Sequence, residues 1–425
     1  MNAPHEVLPP LRSSDTSRGP RTNAPEGSSS QAELLDRYAH SLIPVFGTPQ
    51  LVLERGDGAW VWDTDGKRYL DLVGGIAVNA LGHNHPALVA AVSKQVAEMA
   101  HISNFYTSRA QIELAERVLE IAGAPAGSGV FFANSGAEAV EGAIKLSRRT
   151  GRTGLVAAEG AFHGRTTGAL ALTSKAAYRD PFAPLIPDVT HVPYNDNEAL
   201  RAAVTTETAA VVLEPVQGEA GAIVADPAYL RAARELTTAA GALLVIDEVQ
   251  TGIGRTGDWF GFQESGIVPD AITLAKGLGG GLPVGALVTF GPDVTGLLTA
   301  GQHGSTFSGN PLVAAAGLSV LSTIEAEGLL DHVVQMGEHL VGAVAALGHP
   351  DIEGVRGRGL LRAVVLRSEL SSGIASAARE AGFLVNPVAP DAIRLVPPLV
   401  VTREELDLFV AALPSLIATA KEPTP

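Results

Sequence analysis

With 425 residues, of which 46% are hydrophobic and 18% charged, the chain is long enough to bury a sizeable core and to divide into more than one domain. Its 45 Asp and Glu against 30 Lys and Arg leave a formal charge of -15, a field that repels nucleic acid and anionic lipid and excludes both as expected partners. The absence of cysteine removes disulfide frameworks, thiolate metal sites and cysteine nucleophiles together, and makes a reducing cytoplasm the expected compartment.

Residues 1–30 hold Pro4, Pro9, Pro10, Pro20 and Pro25 with Ser28, Ser29 and Ser30 and no apolar run, so a disordered tail without a signal core is expected there. From about Leu51, the runs Leu51-Val52-Leu53 and Ala59-Trp60-Val61-Trp62 alternate around Gly56-Asp57-Gly58 and Asp65-Gly66, the pattern of short antiparallel strands joined by tight turns. Helical segments follow at Pro86–Ala97 and Gln111–Ile121. Apolar runs at Gly129–Phe132, Gly154–Ala157, Ala209–Leu213, Ala242–Ile246 and Ala271–Leu274 then alternate with helices. Short runs of this kind predict a parallel sheet covered on both faces, with ligands at the carboxyl ends of its strands. The best candidate for a membrane span, 271–292, is broken by Gly277, Gly279, Gly280, Gly281 and Pro283, so no membrane partner is expected. After Leu312 a long helical stretch leads to strands near Leu361–Leu366 and Ile393–Val396. These are expected to join residues 31–74 in a smaller α+β domain, made of 31–74 and 316–425, beside a large domain of residues 75–315.

Chemistry concentrates at a few places. Lys276 is one of only six lysines and the only charged residue between Ala271 and Pro292. A lysine at a strand end can simply snorkel to solvent. A desolvated amine, however, has a lowered pKa and becomes a nucleophile able to capture an aldehyde cofactor, and glycines beside it let a bulky group approach the backbone. The run Leu243–Ile246 ends at Asp247-Glu248, setting a carboxylate at the same expected sheet edge. A buried carboxylate needs a cationic partner, and a protonated pyridine nitrogen is one. The same run also describes a Walker B strand, but the phosphate-binding loop such an ATPase needs is missing from the sequence. Phe131–Glu138 passes from a strand into a helix beginning near Ala137, so free N–H groups at Ser135–Ala137 can take a phosphate. Ser135 and Glu138 also spell an ordinary capping box. In Gly160–Arg165, Phe162 can stack on a planar cofactor and Arg165 can hold a carboxylate, where the ordinary uses would be core packing and a surface pair. His83-Asn84-His85 imitates a metal motif, but two histidines make half a site.

Taken together, Gly74–His83, Asn134–Glu138, Phe162–Arg165, Leu213–Glu219, Asp247–Gly257 and His303–Phe307 resemble, in order and near-spacing, the class III (ornithine-type) aminotransferases across roughly residues 35–420. These are α/β, fold type I enzymes dependent on pyridoxal 5'-phosphate. The resemblance implies that Lys276 carries the cofactor and shuttles protons, that Asp247 meets the pyridine nitrogen, Gln250 the ring hydroxyl and Phe162 the ring face, and that Ser135, Gly136 and Ala137 hold the phosphate. It implies a homodimer with shared active sites, in which Thr306 reaches the phosphate in the neighbouring subunit. Within the family the likeness is greatest to members acting on N2-acetyl-L-ornithine and 2-oxoglutarate in arginine biosynthesis. Arg165 would then take the acetylornithine carboxylate, with Ser305 contributing across the interface. Arg394 would bind the α-carboxylate of 2-oxoglutarate or glutamate, and Glu219 would pair with it when the other substrate is present. Ile76 stands where ornithine-specific members carry tyrosine, which argues against unacetylated ornithine. Ser308 departs from the glycine usual in H-G-S-T-[YF]-G-G-N-P. Sister reactions on 4-aminobutyrate, succinylornithine or acetyl-lysine share the Glu219 and Arg394 logic. A homologue without turnover and a metallohydrolase built on His83 and His85 are the rivals from other classes.

Overall fold

A computed structural model describes residues 29–422; the expected tail lies, except for Ser29 and Ser30, outside the described residues. The described residues form two compact units, one of 29–54 with 63–66 and one of 55–62 with 67–422. In the smaller unit Ser30 and Glu33 close a capping box over the helix Gln31–Ser41, satisfying two end N–H groups reciprocally. Gln31 Oε1 accepts from the Val52 N–H at 3.0 Å.

The larger unit is built on a seven-stranded sheet in the order Gly129–Ala133, Gly285–Thr289, Ala271–Leu274, Leu243–Asp247, Thr208–Leu213, Gly154–Ala158, Val189–Val192. Every residue of Thr208–Leu213, Leu243–Asp247 and Ala271–Leu274 is buried, which is why these strands read as unbroken apolar runs rather than as alternations. Gly285–Thr289 is antiparallel to both neighbours, so the sheet is mainly, and not wholly, parallel. That strand and the half-buried edge strand Val189–Val192 were not foreseen: the first hides inside the apolar stretch 271–292, and the second contains only four residues, two of them Thr190 and His191. The stretch 271–292 is thus two core strands around a glycine turn.

Helices enter where their caps stand. Asp226 accepts from the Ala228 N–H before Pro227–Ala240, and Asn310 accepts from Val313 N before Pro311–Ala326, each satisfying an end N–H beside a proline that has none to lose. Among the described residues no single helix is long and apolar enough to cross a membrane. The nearest pair, Pro311–Ala326 and Leu329–Ala346, is bent by 68°, and it buries Val320, Leu321, Ile324 and Leu340 in the core. A second, antiparallel sheet follows in the order Ile352–Arg358, Leu361–Leu366, Ala392–Leu395, Asn386–Ala389. The short strand Phe383–Leu384 pairs in parallel with Leu70 and Asp71, joining the C-terminal part of this unit to its first strands.

Ile272 is fully buried in the strand Ala271–Leu274. Replacing it with alanine would leave a cavity in the core, and Ile272→Ala is expected to lower unfolding free energy by about 2–5 kcal/mol, measured by denaturant titration.

Candidate active site

The parallel strands all end at one edge of the sheet, and the residues just past their ends surround a cavity of about 610 Å³. Ser135, Gly136 and Ala137 follow the first strand of the order above, Phe162 and Arg165 follow Gly154–Ala158, and Glu219 follows Thr208–Leu213. Asp247 and Gln250 belong to the end of Leu243–Asp247, and Lys276 follows Ala271–Leu274. All of these sequence-selected residues line the cavity; Arg394, Ser305, Thr306 and Ile76 do not. Gly164 has φ 133°, and a Cβ there would stand 2.8 Å from that of Ala137, so only glycine lets the Phe162–Arg165 loop close on the helix Gly136–Arg148.

Asp247 is 4% exposed, and each oxygen has a defined partner. Oδ1 accepts from the Thr273 hydroxyl and the Val249 N–H, both at 3.0 Å. Oδ2 lies 2.6 Å from His163 Nδ1. Burial opposes charge on that imidazole, but the hydrogen bond to Asp247 and its negative charge outweigh burial and raise the pKa above its ordinary value. His163 Nε2 is buried without a partner among the described residues.

Glu214, also lining the cavity, is pushed up to about 8 by burial, with Asp247 adding to the rise and His163 opposing it. It is therefore a neutral carboxyl at pH 7, accepting from Phe162 N–H at 3.3 Å. Lys276 is lowered to about 8 by burial and then by the charge of Arg394, which leaves an appreciable fraction of free amine near neutrality. Its φ of 38° places a non-glycine residue in the left-handed region, a conformation costing roughly 1–3 kcal/mol and concentrated at functional sites. Of the glycines after Lys276 only Gly281 lines the cavity. A Cβ at Gly280 would meet Val320 and Leu88, so that glycine serves core packing and not the approach of a ligand.

The helix starts at Gly136, one residue earlier than expected, and half of the expected capping box forms. Ser135 Oγ accepts from Glu138 N–H at 3.2 Å, while the Glu138 carboxylate turns to Asn134, taking its backbone N–H at 2.9 Å and its side-chain amide at 2.8 Å. The Ser135 hydroxyl proton and the first helix N–H groups thus stay available to an anion. Phe162 meets Tyr178 edge-on at 6.4 Å. The Arg165 guanidinium lies 3.5 Å over the Tyr178 ring and has no carboxylate partner among the described residues. Arg394, 1% exposed, donates to Glu219 at 2.5 Å, Gln250 at 3.2 Å and Asn386 at 2.7 Å.

Ser305 and Thr306 sit on the loop before Pro311–Ala326. Ser305 Oγ accepts from Asn134 Nδ2 at 2.8 Å, and Thr306 is exposed beside Phe307, which is 60% exposed. Ile76 is 40% exposed, with φ 64°. His83 and His85 face different carboxylates, Asp71 at 2.9 Å and Glu327 at 3.4 Å, and no cluster of three or more His, Asp or Glu among the described residues is placed to hold a metal ion. Ser308 Oγ is buried without a partner among them.

Sequence reasoning gave no role to His163, Thr273, Glu214 or Tyr178. Glu214 carries the signal that singled out Asp247, a carboxylate ending an apolar strand. Thr273 depends on the register Asp247↔Thr273, which no spacing reveals. The assembled donors fit pyridoxal 5'-phosphate group by group: a helix N-terminus for a dianion, an aromatic face for a flat ring, a buried carboxylate for a pyridinium, and a lysine of lowered pKa for an aldehyde.

The model of the family "Aminotransferase class-III" matches residues 45–417. The chain is 55% identical to the acetylornithine aminotransferase of Streptomyces coelicolor, over 92% of this chain and 97% of that one. It is 53% identical to that of Mycobacterium tuberculosis, with 92% and 98% covered. Among solved structures, the ornithine aminotransferase of Toxoplasma gondii superposes with a TM-score of 0.87 at 29% identity, covering 92% of this chain and 96% of that one. The acetylornithine aminotransferase of Elizabethkingia anophelis gives 0.82 at 32%, covering 92% and 100%.

The neutral Glu214 has a consequence for stability. In the unfolded chain this carboxyl loses its proton near its ordinary 4.5, whereas the fold keeps it up to about 8. The folded state therefore binds more protons across that window, and its contribution to stability falls as pH rises through it. Glu214→Gln, which cannot ionise, is expected to flatten the pH dependence of the urea midpoint between about 5 and 8. An unchanged profile would place the proton elsewhere.

Proposed function

Because the chain belongs to the class III aminotransferases, we propose that it moves the side-chain amino group of N2-acetyl-L-ornithine to 2-oxoglutarate. The products are N-acetyl-L-glutamate 5-semialdehyde and L-glutamate, and the step belongs to arginine biosynthesis. The observation that carries this reading is the pair of guanidinium groups serving one lysine: Arg165 at the cavity with no carboxylate partner among the described residues, and Arg394 neutralised by Glu219. An amine donor with one carboxylate and an acceptor with two need such an arrangement. The names of the similar proteins point the same way.

Bound pyridoxal 5'-phosphate supplies an electron sink for the carbon from which the amine departs. Ser135, Gly136 and Ala137 hold its phosphate, Phe162 covers its ring, Gln250 serves the ring hydroxyl, and Asp247 keeps the ring nitrogen protonated. His163 and Thr273 hold the Asp247 carboxylate in the orientation this requires. Lys276 takes the proton from the amine-bearing carbon on Nζ, a role suited to an amine of pKa about 8. Arg165 binds the donor carboxylate while Glu219 keeps the Arg394 charge neutralised. When the acceptor enters, Glu219 withdraws and Arg394 takes its α-carboxylate, since a buried guanidinium left without a counter-charge would be costly. Ile76, in place of a tyrosine, leaves no hydroxyl for a free α-amino group.

The same reading includes a homodimer with shared sites. Thr306 and Ser305 lie on a loop flanked by exposed aromatics, Phe307 at 60% and Phe105 at 93%, which suits a face covered by a second copy. The cavity-lining residues run from Val78 to Val284, inside the stretch 75–315 assigned to the cofactor-binding domain. A chain without cysteine suits a cytoplasmic enzyme.

The purified protein is expected to show an absorbance band at roughly 400–430 nm that N2-acetylornithine bleaches and 2-oxoglutarate restores, and Lys276→Ala is expected to lack it. A band indifferent to acetylornithine but bleached by 4-aminobutyrate or succinylornithine would move the substrate to a sister reaction. Arg165→Ala is expected to raise KM for acetylornithine about 10- to 100-fold, the loss of one charge-assisted contact, while changing that for 2-oxoglutarate little.

A further inference from the structure

Arg394 must do two opposed things if it binds the acceptor. It has to keep one position whether or not Glu219 is beside it, and it has to be charged when the acceptor arrives. Its three acceptors divide along the same line. Glu219 is the only charged one, has a side chain 34% exposed and lines the cavity, so it can leave. Gln250 and Asn386 are neutral amides. Asn386 stands directly opposite Arg394 across the antiparallel pair Asn386–Ala389 and Ala392–Leu395, so backbone register fixes the reach of its Oδ1 to Nη2 at 2.7 Å. Among the described residues Nη2 donates to Asn386 alone, and Nε has no acceptor. N–H groups therefore remain for an incoming carboxylate after the amides are satisfied.

Gln250 is held tightly too. A Cβ at Gly218 would fall 1.8 Å from Gln250 Oε1, so the absence of a side chain at Gly218 is what lets this amide reach Nη1. A buried guanidinium needs hydrogen-bond partners in both states of the site. Neutral acceptors supply them without taking the charge away, whereas a second fixed carboxylate would bind the guanidinium permanently and compete with the substrate.

We propose that Asn386 is a positioning residue for the acceptor half of the reaction, holding the Arg394 guanidinium through a neutral amide so that Glu219 alone decides whether its charge is available. This rests on the assignment of Arg394 to the acceptor carboxylate. The donor carboxylate is assigned to Arg165, so Asn386 sets acceptor affinity and leaves donor affinity unaltered.

The test uses the holoenzyme and two readouts: calorimetric binding of glutarate, an unreactive five-carbon dicarboxylate, and the separate rates of the acetylornithine and 2-oxoglutarate half-reactions. Asn386→Ala is expected to weaken glutarate and 2-oxoglutarate about tenfold, the loss of one hydrogen bond to a charged group, with the acetylornithine half-reaction within about twofold of the parent. Asn386→Asp is expected to weaken both dicarboxylates about a hundredfold, because its carboxylate occupies the guanidinium in place of the acceptor. Equal losses in both half-reactions, or no loss of glutarate binding in either variant, would overturn the inference. So would an Asn386→Asp effect no larger than that of Asn386→Ala. Arg394→Leu separates the two levels: if it leaves glutarate binding intact, the assignment of Arg394 itself falls, and the inference with it. If it abolishes binding while the Asn386 variants do not, only the role of Asn386 falls.

Discussion

The hydrogen bond between Asp247 and His163 ties two buried polar groups together at the edge of the sheet where the cavity opens. Asp247 is buried at the end of a central strand, where a polar group needs hydrogen-bond partners. His163, itself buried, supplies one from 2.6 Å. Burial drives Glu214 toward its neutral form, with the neighbouring Asp247 adding to the rise and His163 opposing it. Lys276 meets the positive field of Arg394 on top of its own burial and gives up its proton more readily. An imidazole raised above its ordinary value, a carboxyl pushed up to about 8 and an amine lowered to about 8 thus meet around one cavity.

The topology explains why these groups meet. Parallel strands present the same end to the same side, so residues 30 or 80 positions apart in sequence are delivered together without any local motif. The register of Leu243–Asp247 against Ala271–Leu274 sets Thr273 opposite Asp247, and two residues past the second strand's end comes Lys276. The antiparallel strand Gly285–Thr289 returns the chain beside Gly129–Ala133, bringing the turn after Lys276, with Gly281 and Val284, back to the cavity wall that holds the helix N-terminus at Gly136.

Much of this was legible because burial leaves a trace in composition. Lys276 and Asp247 stand out as single charges at the ends of apolar runs, and the strands carrying them were foreseen to within about one residue, as in Leu243–Asp247 against the expected Ala242–Ile246. What a run of letters does not encode is which strand lies beside which and at what register. Thr273 and Asn386 were invisible for that reason, since each acts through a cross-strand partner. Among the glycines after Lys276, Gly281 lines the cavity but Gly280 does not, and letters alone do not separate them: a requirement for small size looks the same whether the neighbour is a ligand or, as at Gly280, the side chains of Val320 and Leu88. His163 lay in plain view within the Phe162–Arg165 motif, but its role follows only from the distance to Asp247.

The contrast between the two arginines shows how burial is matched to task. Arg165 lies open at the cavity, its flat cation resting on Tyr178, a contact that fixes the guanidinium plane while leaving its N–H edge to a substrate. An exposed guanidinium keeps water as its alternative partner, so it needs no carboxylate when the donor is absent. Arg394 has no such alternative at 1% exposure, and under the proposed function its charge would have to be balanced from within the protein whenever the donor occupies the site. The movable carboxylate therefore belongs with the buried arginine and not with the open one. On the proposed assignment, that asymmetry would let a single lysine serve an amine with one carboxylate and an acceptor with two without a second binding site.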